Sequence, residues 1–289
     1  MRHEGVCALT KETCVLQNSH LYPKFMFTMM KSLGGTKFRS TDMPNRVLQD
    51  GIKMQLLGEK AEQMFSKREK WFAETIFRPY CLSKEFSKTK IRYDETLYYF
   101  IISILWRQLY IAIGNNTLKE FPLNNLFIEA EKEWRDYLNR DILPPNFCKI
   151  YFAPLTPTSI DLPHIQYKDY YLLRGFDCAI IFDDNYSNCA FYCKCPCFAF
   201  WGVIKDVSAS NINYGLRINP NGGKLDLRKF KVGDWYIISY IHKRILETNE
   251  LCNNGQSIIS ENQQNQIIRN IQNSKSFKNG ELAKLLLEP

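Results

Sequence analysis

Residues 95–113 restrict the possible folds more than any other stretch of the chain. Leu97, Phe100, Ile101, Ile104, Leu105, Leu109 and Ile113 leave almost no polar face at helical spacing. A helix with that pattern must be surrounded by other elements. Asp94 or Thr96 supplies its N-cap, and Gly114-Asn115-Asn116 a left-handed stop. The apolar run of about 17 residues sits at the short edge of a bilayer span. Arg107 and Gln108 lie inside it, and a charge at that depth argues against lipid. The expectation is a central helix buried in protein, with no membrane partner.

The remaining patterns say what surrounds it. A helix is expected over residues 59–77, stopping before Pro79, with Ala61, Met64, Phe65, Phe72 and Ile76 at helical spacing. Another spans about 125–139 with Trp134 and Leu138 inward, and Pro144-Pro145 marks a boundary. Beyond it the grammar is that of an antiparallel sheet: short runs at 149–153, 170–173, 178–182, 190–193 and 198–205, parted by turns such as Asp183-Asp184-Asn185. Asp234 opens a helix to about 247, residues 248–259 read as a polar linker, and Ser260 with Gln263 caps a last helix to about 273. Residues 26–50 read as a loop-rich insertion and 78–93 as a basic connection. The tail after 273 reads as loosely held.

With 289 residues, 45% of them hydrophobic, the chain can build one large domain or two ordinary ones. The division expected is 1–78, 79–145 and 146–289. No apolar run precedes a cleavage site near the N-terminus, so the ten cysteines are read as reduced thiols of a cytoplasmic protein. The formal charge of +8 is unevenly placed. Residues 1–92 carry 17 Lys+Arg against 9 Asp+Glu, and the rest of the chain carries 21 of each. A basic excess confined to one segment suits phosphate contact as well as a solubilising surface.

That segment also carries a motif. It runs Cys7-Ala8-Leu9-Thr10, then Ser19-His20-Leu21-Tyr22-Pro23, then Gln49-Asp50-Gly51-Ile52-Lys53 through Leu56-Leu57-Gly58-Glu59-Lys60-Ala61-Glu62 to Phe65-Ser66-Lys67-Arg68-Glu69. It resembles the HNH-like (His-Me finger, treble-clef) endonucleases. The likeness is greatest to a bacterial branch with C-x-L-C, then S-H-I-x-P, then Q-x-G-x-K-x-x-L-L-C-x-x-C-E-x-x-F-S-x-x-E. Ser103-Ile104-Leu105-Trp106-Arg107 is similar to the same branch. The chain departs from it at three of four zinc cysteines: Thr10, Gly58 and Ala61 stand in their places, and only Cys7 remains. Cys14 offers at most a second thiolate, short of the four ligands that close a structural zinc site. Zinc is therefore not expected.

The resemblance implies a fold and a chemistry. The fold is α+β: an N-terminal degenerate treble-clef/HNH-like finger, a helical middle and a mixed β/α C-terminal region. In the family the histidine corresponding to His20 is the general base that activates water. A divalent ion, magnesium or manganese, would meet the phosphate, held by His20, Glu62 and Glu69. Lys24, Lys53, Lys67, Arg68 and Lys70 would contact the nucleic acid, DNA rather than RNA, with Trp71 and Phe72 open to stacking a base or to core packing. The implied function is a metal-dependent nuclease, for which the family suggests bacterial defence. The alternative is an inactive finger that binds nucleic acid or a protein partner. It is favoured by the lost zinc cysteines and by the absence of any histidine between His20 and His164. A separate cluster, Cys189, Cys193, Cys195 and Cys197, reads either as small buried hydrophobes or as a metal or redox set. His164 and His242 receive no role.

Overall fold

The computed structural model describes residues 3–32, 38–39, 47–48, 51–82, 90–157, 165, 168–207, 216–227, 236–258 and 260–273. The fold is α+β, as expected. Strand β1 (His3–Val6) turns through residues 7–12 into β2 (Thr13–His20), which pairs antiparallel with both β1 and β5 (Lys53–Gly58). Between β2 and β5 lie helix α1 (Lys24–Ser32) and the short pair β3 (Phe38–Arg39) and β4 (Val47–Leu48). Helix α2 (Glu59–Phe72) leaves β5 directly, passes through a π-helical turn, Ala73–Phe77, and continues as α3 (Arg78–Cys81). Then come β6 (Lys90–Tyr93), α4 (Glu95–Gly114), α5 (Asn124–Arg140), β7 (Ile150–Pro154), α6 (Lys168–Arg174), β8 (Asp177–Phe182), β9 (Asn188–Cys195) and β10 (Phe198–Asp206). The described chain closes with β11 (Leu216–Arg217), β12 (Gly223–Asp226), α7 (Tyr236–Ile258) and α8 (Glu261–Asn273).

Helix α4 is central. The Asp94 side chain accepts the Thr96 N–H at 3.0 Å, so the aspartate is the cap. Asn116, at φ 57°, supplies the left-handed residue after its end. By length and composition α4 could cross a membrane, but 67% of its apolar window is covered by protein. Phe72 of α2 stacks on Phe100 at 4.0 Å between ring centroids. Full burial of such a ring stabilises by about 1.5–3 kcal/mol.

The largest sheet is antiparallel throughout, with order β11-β7-β10-β9-β8. Both faces are covered, and the strands alternate accordingly. Cys189, Phe191, Cys193, Cys195, Phe198 and Phe200 join the core that contains α4. Ala190, Tyr192, Ala199, Trp201 and Val203 join a second core with Ile237, Ile241 and Ile245 of α7. Gly202 of β10 allows α5 to lie close, since a Cβ there would sit 2.4 Å from the Trp134 ring. The first core draws residues from all three expected segments, from Cys7 and Leu57 through Trp106 to Phe200.

Four expectations are corrected. Residues 170–173 lie in α6, not in a strand: packing of Tyr171 and Leu172 into the second core overrides their strand preference. The helix after β5 does not stop before Pro79. The π-helical turn widens the coil just ahead of the ring, and Pro79 sits in the first turn of α3, where no N–H is needed. The insertion after Pro23 opens with α1, whose Met26, Met29 and Met30 are buried at helical spacing. Residues 248–258 continue α7 instead of forming a linker. The last helix, α8, lies where it was expected, with Ser260 Oγ accepting the Gln263 N–H. The Asp234 cap, residues 83–89 of the basic connection and the C-terminal tail lie outside the described residues.

Candidate functional site

The finger is built as two strands and a helix around a turn. Within that turn the Cys7 N–H donates to Glu12 O and the Lys11 N–H to Cys7 O, each at 2.9 Å, and Lys11 takes φ 62°. The Ala8 N–H reaches Leu56 O of β5 at 3.0 Å, fixing the turn to the strand. β2 and β5 then run antiparallel, with His20 opposite Lys53, and α2 follows β5 without a break. Ser19 is buried, and its hydroxyl accepts the Leu57 N–H at 3.2 Å. His20 thus closes the first strand of a strand–strand–helix unit.

Of Cys7, Thr10, Gly58 and Ala61, the one thiol is hydrogen-bonded. Cys7 Sγ accepts the Gly58 N–H at 3.3 Å. Burial pushes this thiol up, but the Gly58 N–H, the Thr10 hydroxyl and the backbone at Thr10 and Leu9 outweigh it, and the net shift is downward. A Cβ on Gly58 would lie 2.5 Å from Cys14 Sγ, so the Cys14 sulfur fills the space of the missing side chain. Burial and the adjacent Cys7 push the Cys14 thiol up. Gly58→Ala should therefore lower stability by about 1 kcal/mol, and adding Cys14→Ala should recover part of that loss. Urea titration of the single and double variants measures this; additive losses would contradict the shared space.

At the other end of the finger the decisive residue is Arg107 of α4. Its Nη1 donates to His20 O at 3.0 Å, Nη2 pairs with Glu69 Oε1 at 3.0 Å, and Nε donates to Ser103 O at 3.1 Å. The guanidinium lies 5.1 Å from the centroid of Phe65. Arg107 is 3% exposed and Glu69 20%. A cation thus already holds the carboxylate that the nuclease reading gives to a metal. One Glu62 carboxylate oxygen is buried without a hydrogen-bond partner among the described residues. No three His, Cys, Asp or Glu side chains gather as a metal-holding group among those residues. His20, Glu62 and Glu69 are therefore not brought together as a donor set, and Glu69, already paired to a guanidinium, does not suit a divalent ion.

The basic residues divide. Lys24, Lys53, Lys67 and Lys70 are exposed. Arg68 is taken up internally: its Nη1 donates to Met64 O at 3.2 Å and its guanidinium lies 4.4 Å from the Tyr99 ring. Phe72 is fully buried and Trp71 packs against the core, so both serve packing, not an open stacking platform. Gln49 lies outside the described residues.

Two charged groups in the sheet region escaped the sequence reading. Asp177 Oδ2 accepts from Tyr171, Tyr240 and Arg244 at 2.9, 2.9 and 3.0 Å, and Oδ1 accepts the Cys178 N–H at 2.9 Å. Burial works against the Arg244 charge, but Asp177 outweighs it and holds the guanidinium protonated. Lys194 is fully buried, with Nζ donating to Leu172 O, Gly175 O and Cys195 O at 2.8–3.2 Å. Burial lowers it to about 8. Of the cysteine cluster, Cys189, Cys193 and Cys195 line the α4 face of β9, and Cys197 sits in the turn to β10. Compared with known proteins, the chain matches no family model, no curated protein and no solved structure.

Proposed function

We propose that the protein binds nucleic acid through the basic finger, and that the finger's catalytic positions serve structure instead of cleavage. The observation that carries this reading is Arg107: it neutralises Glu69 and ties the backbone of His20 to α4. Beside that neutralised centre, Lys53 lies opposite His20 and Lys24 follows it by four residues, both exposed, as are Lys67 and Lys70 on α2. Such a surface attracts phosphate without reading base sequence, so affinity should fall steeply with salt.

Fluorescence anisotropy with duplex DNA and with RNA, over a range of salt, tests the proposal. The 289-residue chain should bind, DNA above RNA. Changing Lys53, Lys67 and Lys70 together to Glu should weaken binding and flatten the slope of log K against log salt. The slope should fall by about 0.9 for each duplex phosphate that the variant no longer neutralises. Binding without salt dependence, or none at all, would overturn the proposal. The same samples incubated with magnesium or manganese should leave the nucleic acid intact. Cleavage that disappears in folded His20→Ala would establish the nuclease reading in its place.

A further inference from the structure

Cys178 and Cys193 face one another across the edge of the large sheet. They are direct partners in the β8–β9 register, and their sulfurs lie 3.8 Å apart. Opposed residues of an antiparallel pair have Cα atoms about 4.5–5.5 Å apart. That falls inside the span a disulfide bridges, so closing the bond requires sulfur movement and little backbone movement. The two thiols differ in access. Cys178 is exposed on the edge strand β8, whereas Cys193 is fully buried on β9. An accessible sulfur with a second sulfur directly behind it is the arrangement of an attacking thiol and a resolving thiol. A second group of neighbouring thiols, Cys81, Cys195 and Cys197, is buried and offers no such entry, and the adjacent Cys7 and Cys14 present only a half-buried sulfur.

We propose that Cys178 and Cys193 form a reversible cross-strand disulfide when the protein meets a hydroperoxide. The Cys178 thiol gives up its proton and its sulfur attacks the hydroxyl oxygen of the peroxide; the O–O bond breaks, a sulfenic acid forms, and the departing hydroxide, or alkoxide from an organic peroxide, takes that proton and leaves as water or alcohol. The Cys193 sulfur then attacks the Cys178 sulfur and the S–O bond breaks. The departing hydroxide takes the Cys193 proton and leaves as water. The thiol pair loses two electrons and the peroxide gains them. A small-molecule dithiol restores both thiols by exchange.

The pair sits where the finger meets the sheet. The Tyr22 hydroxyl donates to Asp177 O at 2.7 Å and lies against the Cys193 thiol. The Tyr22 ring packs on Phe176 at 5.0 Å, and Phe27 stacks on the same ring at 4.6 Å. Bonding of the Cys193 sulfur to Cys178 changes the thiol that Tyr22 lies against, so the redox state of this pair acts on the contact that seats α1 and the end of β2.

Hydrogen peroxide treatment of the whole chain, followed by alkylation and mass spectrometry without reduction, tests the proposal. Wild type should lose two hydrogen masses, give one linked peptide pairing Cys178 with Cys193, and return to starting mass with dithiothreitol. Cys178→Ser, an exposed position that leaves the core untouched, should give no reversible loss and a Cys193 that stays alkylatable after denaturation. Linkage of other cysteines, over-oxidation of Cys178 beside an intact Cys193, the same loss in Cys178→Ser, or no oxidation would each overturn it.

Discussion

Brought to about pH 10.5 in the presence of a reductant, the protein should lose most of its stability. Burial raises the thiols of Cys81, Cys189, Cys193 and Cys195, Cys189 to about 12. Above about pH 9 the unfolded chain releases these protons while the folded chain keeps them. The unfolded state then binds fewer protons, and stability falls with pH by about 1.4 kcal/mol per thiol per pH unit. Four thiols together cost on the order of 5 kcal/mol per unit, against a typical total of about 5–15. Tyr22, Tyr171, Tyr192 and Tyr240, raised by the same burial, add to the loss above about pH 10. Lys194 works in the opposite direction. With its folded value near 8 it is deprotonated in the fold and protonated in the unfolded chain up to about pH 10.5, so it recovers roughly one thiol's worth. Circular dichroism melts from pH 7.5 upward measure the balance. A melting temperature at pH 10.5 within a few degrees of the neutral value would contradict it.

Asp177→Ala should be the most damaging single substitution, at about 3 kcal/mol, because it leaves two phenols without their acceptor and a partly buried guanidinium with Glu247 as its remaining carboxylate. Asp177 side-chain exposure is 6%, and Arg244, Tyr171 and Tyr240 all converge on Oδ2. These bonds tie β8, α6 and α7 together. Asp177→Asn keeps an oxygen acceptor while removing the charge, and should cost clearly less. Urea titration of both variants separates charge from shape; a loss under about 1 kcal/mol for the alanine variant would show that the network relaxes without it.

What was legible in the sequence follows from how local its cause is. The α4 helix could be read because its apolar residues are continuous and Asp94 caps it within two residues. Strands β8 to β10 could be read because they alternate between two covered faces. The α1 helix was legible in principle, since Met26, Met29 and Met30 keep helical spacing after Pro23, but nearby glycines favoured a loop reading. The site was far less legible. Arg107 meets His20 across 87 residues, and Arg244 meets Asp177 across 67. In the sequence Arg107 marks a charge unsuited to lipid and the end of a family-like fragment, and neither points to His20 or Glu69. Nothing local in the run Asn188–Cys195 tells that Lys194 is buried on three carbonyls.

The reach of Arg107 back to His20 has a consequence for biosynthesis. The ribosome delivers β2, β5 and α2 well before α4, and the roughly 40 residues from Phe72 to the end of α4 take about 2–8 s at ordinary elongation rates. During that interval the Phe65 and Phe72 rings lack the α4 rings they pack on, Tyr99, Phe100 and Trp106, and Glu69 lacks its guanidinium. The finger must wait, partly assembled, until the most apolar helix of the chain emerges beside it. That helix in turn waits for the sheet residues that cover its other side. Nascent chains halted between these two points would be the ones that most need a chaperone.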